Sequence, residues 1–195
     1  RDPLWSRGLG DVYKRQGQHR SGKLALLEEL LSTILAEGEK ALIFTQYKEF
    51  GEYLSDYVRK RFGVPAPFLH GSLRREERDA MVDSFQSPDG PPIMVLSLKA
   101  GGTGLTLTAA NHVIHYDRWW NPAVENQATD RAYRIGQTKD VQVRKLVCDG
   151  TIEERIDDII SHKSTMSDLV VSTGETWLTE LDDEQLQELF RLEVT

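Results

Sequence analysis

Cys148 is the only cysteine among 195 residues, so no internal disulfide is available and packing must hold the chain together. It ends an apolar run, residues 141–148, where a buried thiol and an intracellular home are expected. No stretch approaches the ~18 apolar residues of a membrane span, and the N-terminus lacks the basic-then-apolar plan of a signal peptide. Membrane and export are therefore not expected. Overall positive charge is missing too: the net charge is −7. That acidity is local, because residues 149–195 carry 13 acidic and 3 basic groups while residues 21–148 carry 16 of each. A neutral core of this kind can still present a basic groove, so the charge neither supports nor excludes a nucleic-acid partner.

Two phosphate-handling motifs are also absent. Residues 17–24, GQHRSGKL, match G-x-x-x-x-G-K, but Leu24 stands where a hydroxyl would hold Mg²⁺, and residues 11–16 do not read as a buried strand. Residues 182–185, DDEQ, imitate an acidic Mg²⁺ box in letters only, since no buried strand precedes them.

What is present is ordinary globular composition, 39% hydrophobic and 28% charged, enough for one core with an appendage. Residues 1–20 show no period and contain 5 basic and 2 acidic groups. They read as a linker or a non-native leader and are set aside. From residue 21 a helix is expected, with Leu24, Leu27, Leu30, Leu31, Ile34 and Leu35 at helical spacing and a stop near Gly38. Apolar runs at 41–45, 66–69, 93–98 and 141–147 read as strands. They alternate with helices through Phe50–Val58 and up to Phe85, and residues 88–92, PDGPP, are a turn. This alternation implies a parallel sheet with helices on both faces.

The chain is organised around residues 95–134. An apolar strand runs into Ala100-Gly101-Gly102-Thr103-Gly104, then come a second strand, the corner Trp119-Trp120-Asn121-Pro122, and a helix. Asn121 suits the cap of that helix and Pro122 its first turn, which places Gln127, Arg131 and Arg134 at i, i+4 and i+7 on one face. An amide and two planar guanidinium forks on one edge suit a polyphosphate. The alternative is a solvated face on which Glu125 and Asp130 balance the arginines. The glycine turn stands at the carboxyl end of a strand, where α/β proteins bind ligands, and glycines let backbone N–H groups approach an anion. A simple tight turn is its alternative. His112 and His115, three apart on a strand, point to opposite faces and do not make a metal pair. Arg74, Arg75 and Arg78 near His70 suit a phosphate backbone, but Glu76, Glu77 and Asp79 interleave them.

LSLKAGGTGLTLTAANHVIHYDRWWNP followed by QATDRAYRIGQTKDVQVRKLV resembles the fifth and sixth motifs of the second motor lobe of Swi/Snf-type ATPases, a branch of helicase superfamily two. The resemblance covers residues 21–171. Ser21-Gly22-Lys23 is similar to the usual opening of that lobe, and Ala41-Leu42-Ile43-Phe44-Thr45 to its fourth motif. It implies a RecA-like (P-loop NTPase-like) α/β lobe over 21–150 and a brace helix over 151–173; beyond these, the apolar spacing of Leu181, Leu186, Leu189 and Phe190 reads as a short acidic tail helix within 174–195. It also implies that ATP with Mg²⁺ is held mainly by a first lobe of the same protein. Arg131 and Arg134 would reach the γ-phosphate, and Gly102, Gly104 and Gln127 would link nucleotide state to DNA. The double-stranded DNA backbone would be met by Thr45, Lys99 and Gly101; Trp119 and Trp120 suit stacking on its bases or sugars, with core or lobe packing the alternative for one of them. No metal site is implied within the chain. Leu98 stands before Lys99 where the family often has Thr or Ser, which removes one hydroxyl from the expected DNA contacts. A DNA-bound protein complex is a further implied partner, and the expected compartment is intracellular, the cytoplasm or nucleoid of a bacterium or the nucleus of a eukaryote. Two other readings remain open: a lobe of an RNA or DNA helicase from another branch, and a non-enzymatic α/β interaction domain.

Overall fold

The computed structural model describes residues 22–100, 105–119, 122–132, 136, 137, 139–148, 151, 153 and 154. The leader, the acidic tail helix and all but three residues of the expected brace helix lie outside them, as do Gly101, Gly102, Gly104, Trp120 and Arg134.

Helix α1 (Gly22–Ala36) buries Leu24, Leu27, Leu31 and Ile34, the i, i+3, i+7, i+10 stripe that one helix face requires. It stops at Gly38, whose φ of +67° is open to glycine and costly for other residues. The stop is a Schellman turn, with Glu39 N donating to Ile34 O at 3.0 Å and Gly38 N to Leu35 O at 3.1 Å. Strand β1 (Ala41–Thr45) follows and is buried along its whole length. Next come α2 (Lys48–Phe62), β2 (Phe68–Leu69), α3 (Arg75–Gln86), β3 (Ile93–Ser97), a 3-10 turn (Leu98–Ala100), β4 (His112–His115), α4 (Pro122–Thr129) and β5 (Gln142–Lys145).

The five strands form one parallel sheet in the order β2-β3-β1-β4-β5. Side chains alternate between its faces. Ala41, Ile43, Ile93, Val95 and Ile114 meet α1 and α2, whereas Leu42, Phe44, Met94, Leu96 and Val113 meet Phe85 of α3 and Ala128 of α4. Continuous apolar strands are what a sheet covered on both faces demands.

Edge strands depart from the expected runs. β2 is only two residues because Pro65 and Pro67 offer no N–H to the ladder, although Pro67 O still accepts from Val95 N at 2.9 Å. β5 is mostly exposed, with charged residues on an outer strand as edge protection requires. Cys148 beyond it is half-buried rather than enclosed as expected, because the sheet ends there. Among the described residues no helix is long and apolar enough to cross a membrane.

Candidate nucleotide and nucleic-acid interface

The carboxyl ends of β1, β3 and β4 lie side by side. Thr45 is paired with Ser97, Phe44 with His115, and Tyr116 N continues the ladder onto Phe44 O at 2.9 Å. β1 feeds α2, β3 feeds the glycine loop, and β4 feeds the tryptophan corner. The chain leaves β1 for one edge of the sheet and crosses from β3 to β4 on the other side of β1, the kind of switch point where open α/β sheets bind ligands.

Three polar junctions hold this edge. At the first, Asp117 Oδ2 accepts from Thr45 Oγ1 at 2.6 Å and from the Gln46 backbone N–H at 3.1 Å, while the Gln46 side-chain amide donates to Arg118 O. Burial pushes the Asp117 carboxyl up, against the two hydrogen bonds that pull it down. Thr45 is fully buried, so its hydroxyl proton is spent on Asp117, and the exposed groups that follow β1 are Tyr47 and Lys48.

At the second, Glu125 is enclosed at 0% exposure and Arg118 at 2%. Glu125 Oε2 meets Arg118 Nη1 at 2.5 Å and Lys145 Nζ at 2.9 Å, and Oε1 accepts from Trp119 N at 2.9 Å. Glu125 is thus an anchor for the tryptophan corner instead of the solvated partner of the arginines that helix spacing suggested. Trp119 is half-buried against the second core cluster. Beside this junction His115 stacks on Phe44 at 5.3 Å and shares a hydrogen bond with Thr129 Oγ1 at 3.0 Å. Burial drives its pKa from 6.5 down to about 4, against the pull of Glu125 and aided by Lys145 and Arg118.

The third junction lies at the N-terminal end of α1. Lys23 Nζ donates to Tyr116 O at 2.9 Å and pairs with Glu153 at 2.5 Å, and Glu153 also accepts from Cys148 N at 3.2 Å. The lysine of Ser21-Gly22-Lys23 therefore ties the start of the lobe to the end of β4 and to the segment leaving it.

Helix α4 begins at Pro122 as expected but ends at Thr129. Hydrogen bonding then tightens to i−3, with Arg131 N on Ala128 O at 3.4 Å and Ala132 N on Thr129 O at 3.0 Å. Gln127 is exposed while Arg131 is only 5% exposed, so the two do not share one open helix face: the tightened turn rolls Arg131 inward. Lys99 lies on the 3-10 turn, where Ala100 N donates to Ser97 Oγ at 3.1 Å. Leu98 is buried, packed in the core where a hydroxyl was lacking.

Elsewhere, His112 and His115 do lie on opposite faces of β4. Glu37, Glu39 and His112 bring donor atoms within 4.8 Å of one another, but Arg144 Nη1 stands 3.0 Å from His112 Nδ1. A guanidinium only donates, so His112 Nε2–H donates to Glu39 Oε2 at 2.5 Å. Lys139 also pairs with Glu39 at 3.3 Å. Two neighbouring cations and a protonated ring nitrogen make this a hydrogen-bond network unsuited to a metal ion. Arg74 pairs with Glu77 at 2.8 Å and Arg75 with Asp79 at 3.7 Å, so the interleaved acids engage two of that basic trio. Sequence reasoning passed over Asp117, Gln46 and Arg118 entirely. A carboxylate directly after a buried strand was the available signal.

Residues 22–136 match the family described as helicase conserved C-terminal domain, and the chain belongs to that family, with the RecA-like lobe of its Swi/Snf-type members. The Sulfolobus solfataricus SWI2/SNF2 ATPase core in complex with dsDNA aligns with 92% of this chain and is 42% identical, with a TM-score of 0.75, the alignment covering 37% of that core. The separate C-terminal domain of the SWI2/SNF2 ATPase from the same organism gives 40% identity and a TM-score of 0.72, over 92% of this chain and 72% of its own length. A Bacillus subtilis protein provisionally named an ATP-dependent helicase/translocase is 56% identical over 90% of this chain. The human chromatin-remodeling ATPase INO80 is 41% identical over 88%. The chain spans 19% and 12% of the lengths of these two relatives.

Proposed function

We propose that this chain is the second motor lobe of an ATP-dependent double-stranded DNA translocase. The observation that carries the reading is that the segment after the glycine loop is bonded to the arginine segment, with Leu107 N donating to Arg131 O at 3.0 Å, while Glu125 of α4 accepts from Trp119 N at 2.9 Å. That bond supports coupling between the two segments, as a lobe that must convert nucleotide state into DNA movement requires.

Mg-ATP, which supplies the phosphoryl group, is held mainly by a first lobe in this reading. The described acidic groups at the edge fit that division: Asp117, Glu125 and Glu153 are already engaged by hydrogen bonds or ion pairs. The arginine turn is this chain's contribution. Arg134 and Arg131 stabilise charge on the γ-phosphate, with Arg131 starting from a buried position that holds the turn in shape. Gln127, Gly102 and Gly104 relay closure of the lobes. The DNA backbone is met by Lys99, the Gly101 amide, Trp119 and Trp120, with Thr45 acting through the Asp117 junction that sets the exit of β1.

The test is ATP turnover of the intact protein with saturating double-stranded DNA. Arg134→Ala is expected to lower it about a thousandfold or more, the usual worth of an arginine that stabilises phosphoryl transfer. Turnover within about threefold of the parent protein, against that thousandfold expectation, overturns the assignment.

A further inference from the structure

Beyond these groups, the structure points to Gln137 as a positioning residue. We infer that its side-chain amide clips the exit of the glycine loop to the arginine turn, so that the two move as one when DNA stimulates ATP hydrolysis. The inference rests on the reading of the site just given.

Gln137 Nε2 donates to Ala110 O at 2.8 Å and to Ala132 O at 3.2 Å, and its Oε1 accepts from Lys139 N at 3.0 Å. A primary amide has two N–H donors, and both are used to join carbonyls 22 residues apart in the chain. One belongs to the segment that follows the glycine loop, the other to the residue after Arg131. The preceding residue makes the reach possible: Gly136 has φ +107°, a backbone region that side-chain-bearing residues rarely adopt, and it swings the chain back over the turn. The Gly136-Gln137 pair is thus a turn followed by a clip.

The same loop is held from its other side by a second glutamine. Gln86 at the end of α3 accepts from Ala109 N at 2.8 Å and lies 3.2 Å from Thr108 Oγ1. Among the described residues Gln86 makes no hydrogen bond to the arginine turn, and it serves as an internal control because it holds the same segment through the same kind of group.

The experiment uses the intact protein and measures ATP turnover with and without double-stranded DNA, KM for ATP, and the thermal midpoint. Gln137→Met and Gln137→Glu, both close to glutamine in size, are expected to lower the DNA-stimulated kcat about tenfold, within the range that a misplacement of ~1 Å costs. KM for ATP and the DNA-free rate should stay within about twofold of the parent protein, because no ATP-binding contact is removed. Gln86→Met should shift the thermal midpoint comparably and leave kcat unchanged. Full DNA stimulation in both Gln137 variants overturns the inference, and so does an equal loss of kcat in Gln86→Met, which would mean that any loosening of the loop suffices. Arg134→Ala, measured alongside, separates the two levels. If it too retains turnover, the reading of the site fails; if it alone loses turnover, only the clip fails.

Discussion

Glu125 and His115 occupy the same buried edge. Glu125 is stabilised by Arg118, Lys145 and the Trp119 N–H, and removal of one partner from such a buried pair typically costs about 3–5 kcal/mol. His115 is held neutral by burial, with its pKa lowered from 6.5 to about 4. The unfolded chain takes up that proton near pH 6.5 and the folded chain only near 4, so this contribution is complete above 6.5 and is lost as pH falls through the window. That difference corresponds to roughly 3 kcal/mol. Glu39 acts lower down: the His112 hydrogen bond first and Asn111 second hold its carboxyl down from 4.5 to about 2. Its contribution is present above 4.5 and is lost as pH falls toward 2. Denaturant midpoints measured across pH 7 to 4 should therefore drop, and His115→Phe, which keeps a ring against Phe44, should flatten that part of the profile. An unchanged slope would assign the loss to other groups.

At the scale of elements, the turn between α3 and β3 is fitted tightly. Lys40 Nζ reaches the carbonyls of Phe85 at 2.8 Å, Ser87 at 2.5 Å and Gly90 at 3.4 Å, satisfying the end of α3 as a cation at a helix C-terminus should. Burial lowers the pKa of this ammonium, with Asp89 opposing the shift. A Cβ on Gly90 would stand inside the envelope of the Ser84 backbone carbonyl, which belongs to α3 and has little room to yield. Gly90→Ala is expected to destabilise the lobe by about 1–3 kcal/mol, as overpacking does, and a urea titration reads it directly. The PDGPP turn was legible from its residue types. The lysine that holds it comes from 45 residues upstream, and no local pattern announced it.

At the scale of the molecule, nucleic acid in the proposed reading meets the lobe through backbone amides and a few cations. Binding of this kind is dominated by phosphate contacts and release of counterions. In the intact protein, affinity for double-stranded DNA should fall at least about tenfold between 50 and 200 mM salt, with little dependence on base sequence. Fluorescence anisotropy with two unrelated duplexes checks both parts. Flat salt dependence, or strong preference for one duplex, would overturn the backbone-contact reading.

The order of elements was legible in the amino-acid pattern because apolar runs of strand length alternating with helical stripes leave few ways to bury both. The glycine loop, the tryptophan corner and the arginine segment are proposed from residue type over short spans, which a sequence carries by itself. Tertiary structure decided the rest. It rolled Arg131 inward past a helix that ends at Thr129, spent the Thr45 hydroxyl on Asp117, and turned Glu125 from a solvated charge into a buried anchor. These outcomes depend on which carbonyls and cations other strands bring within about 3 Å. Such partners lie tens of residues away, and only the closed sheet brings them together.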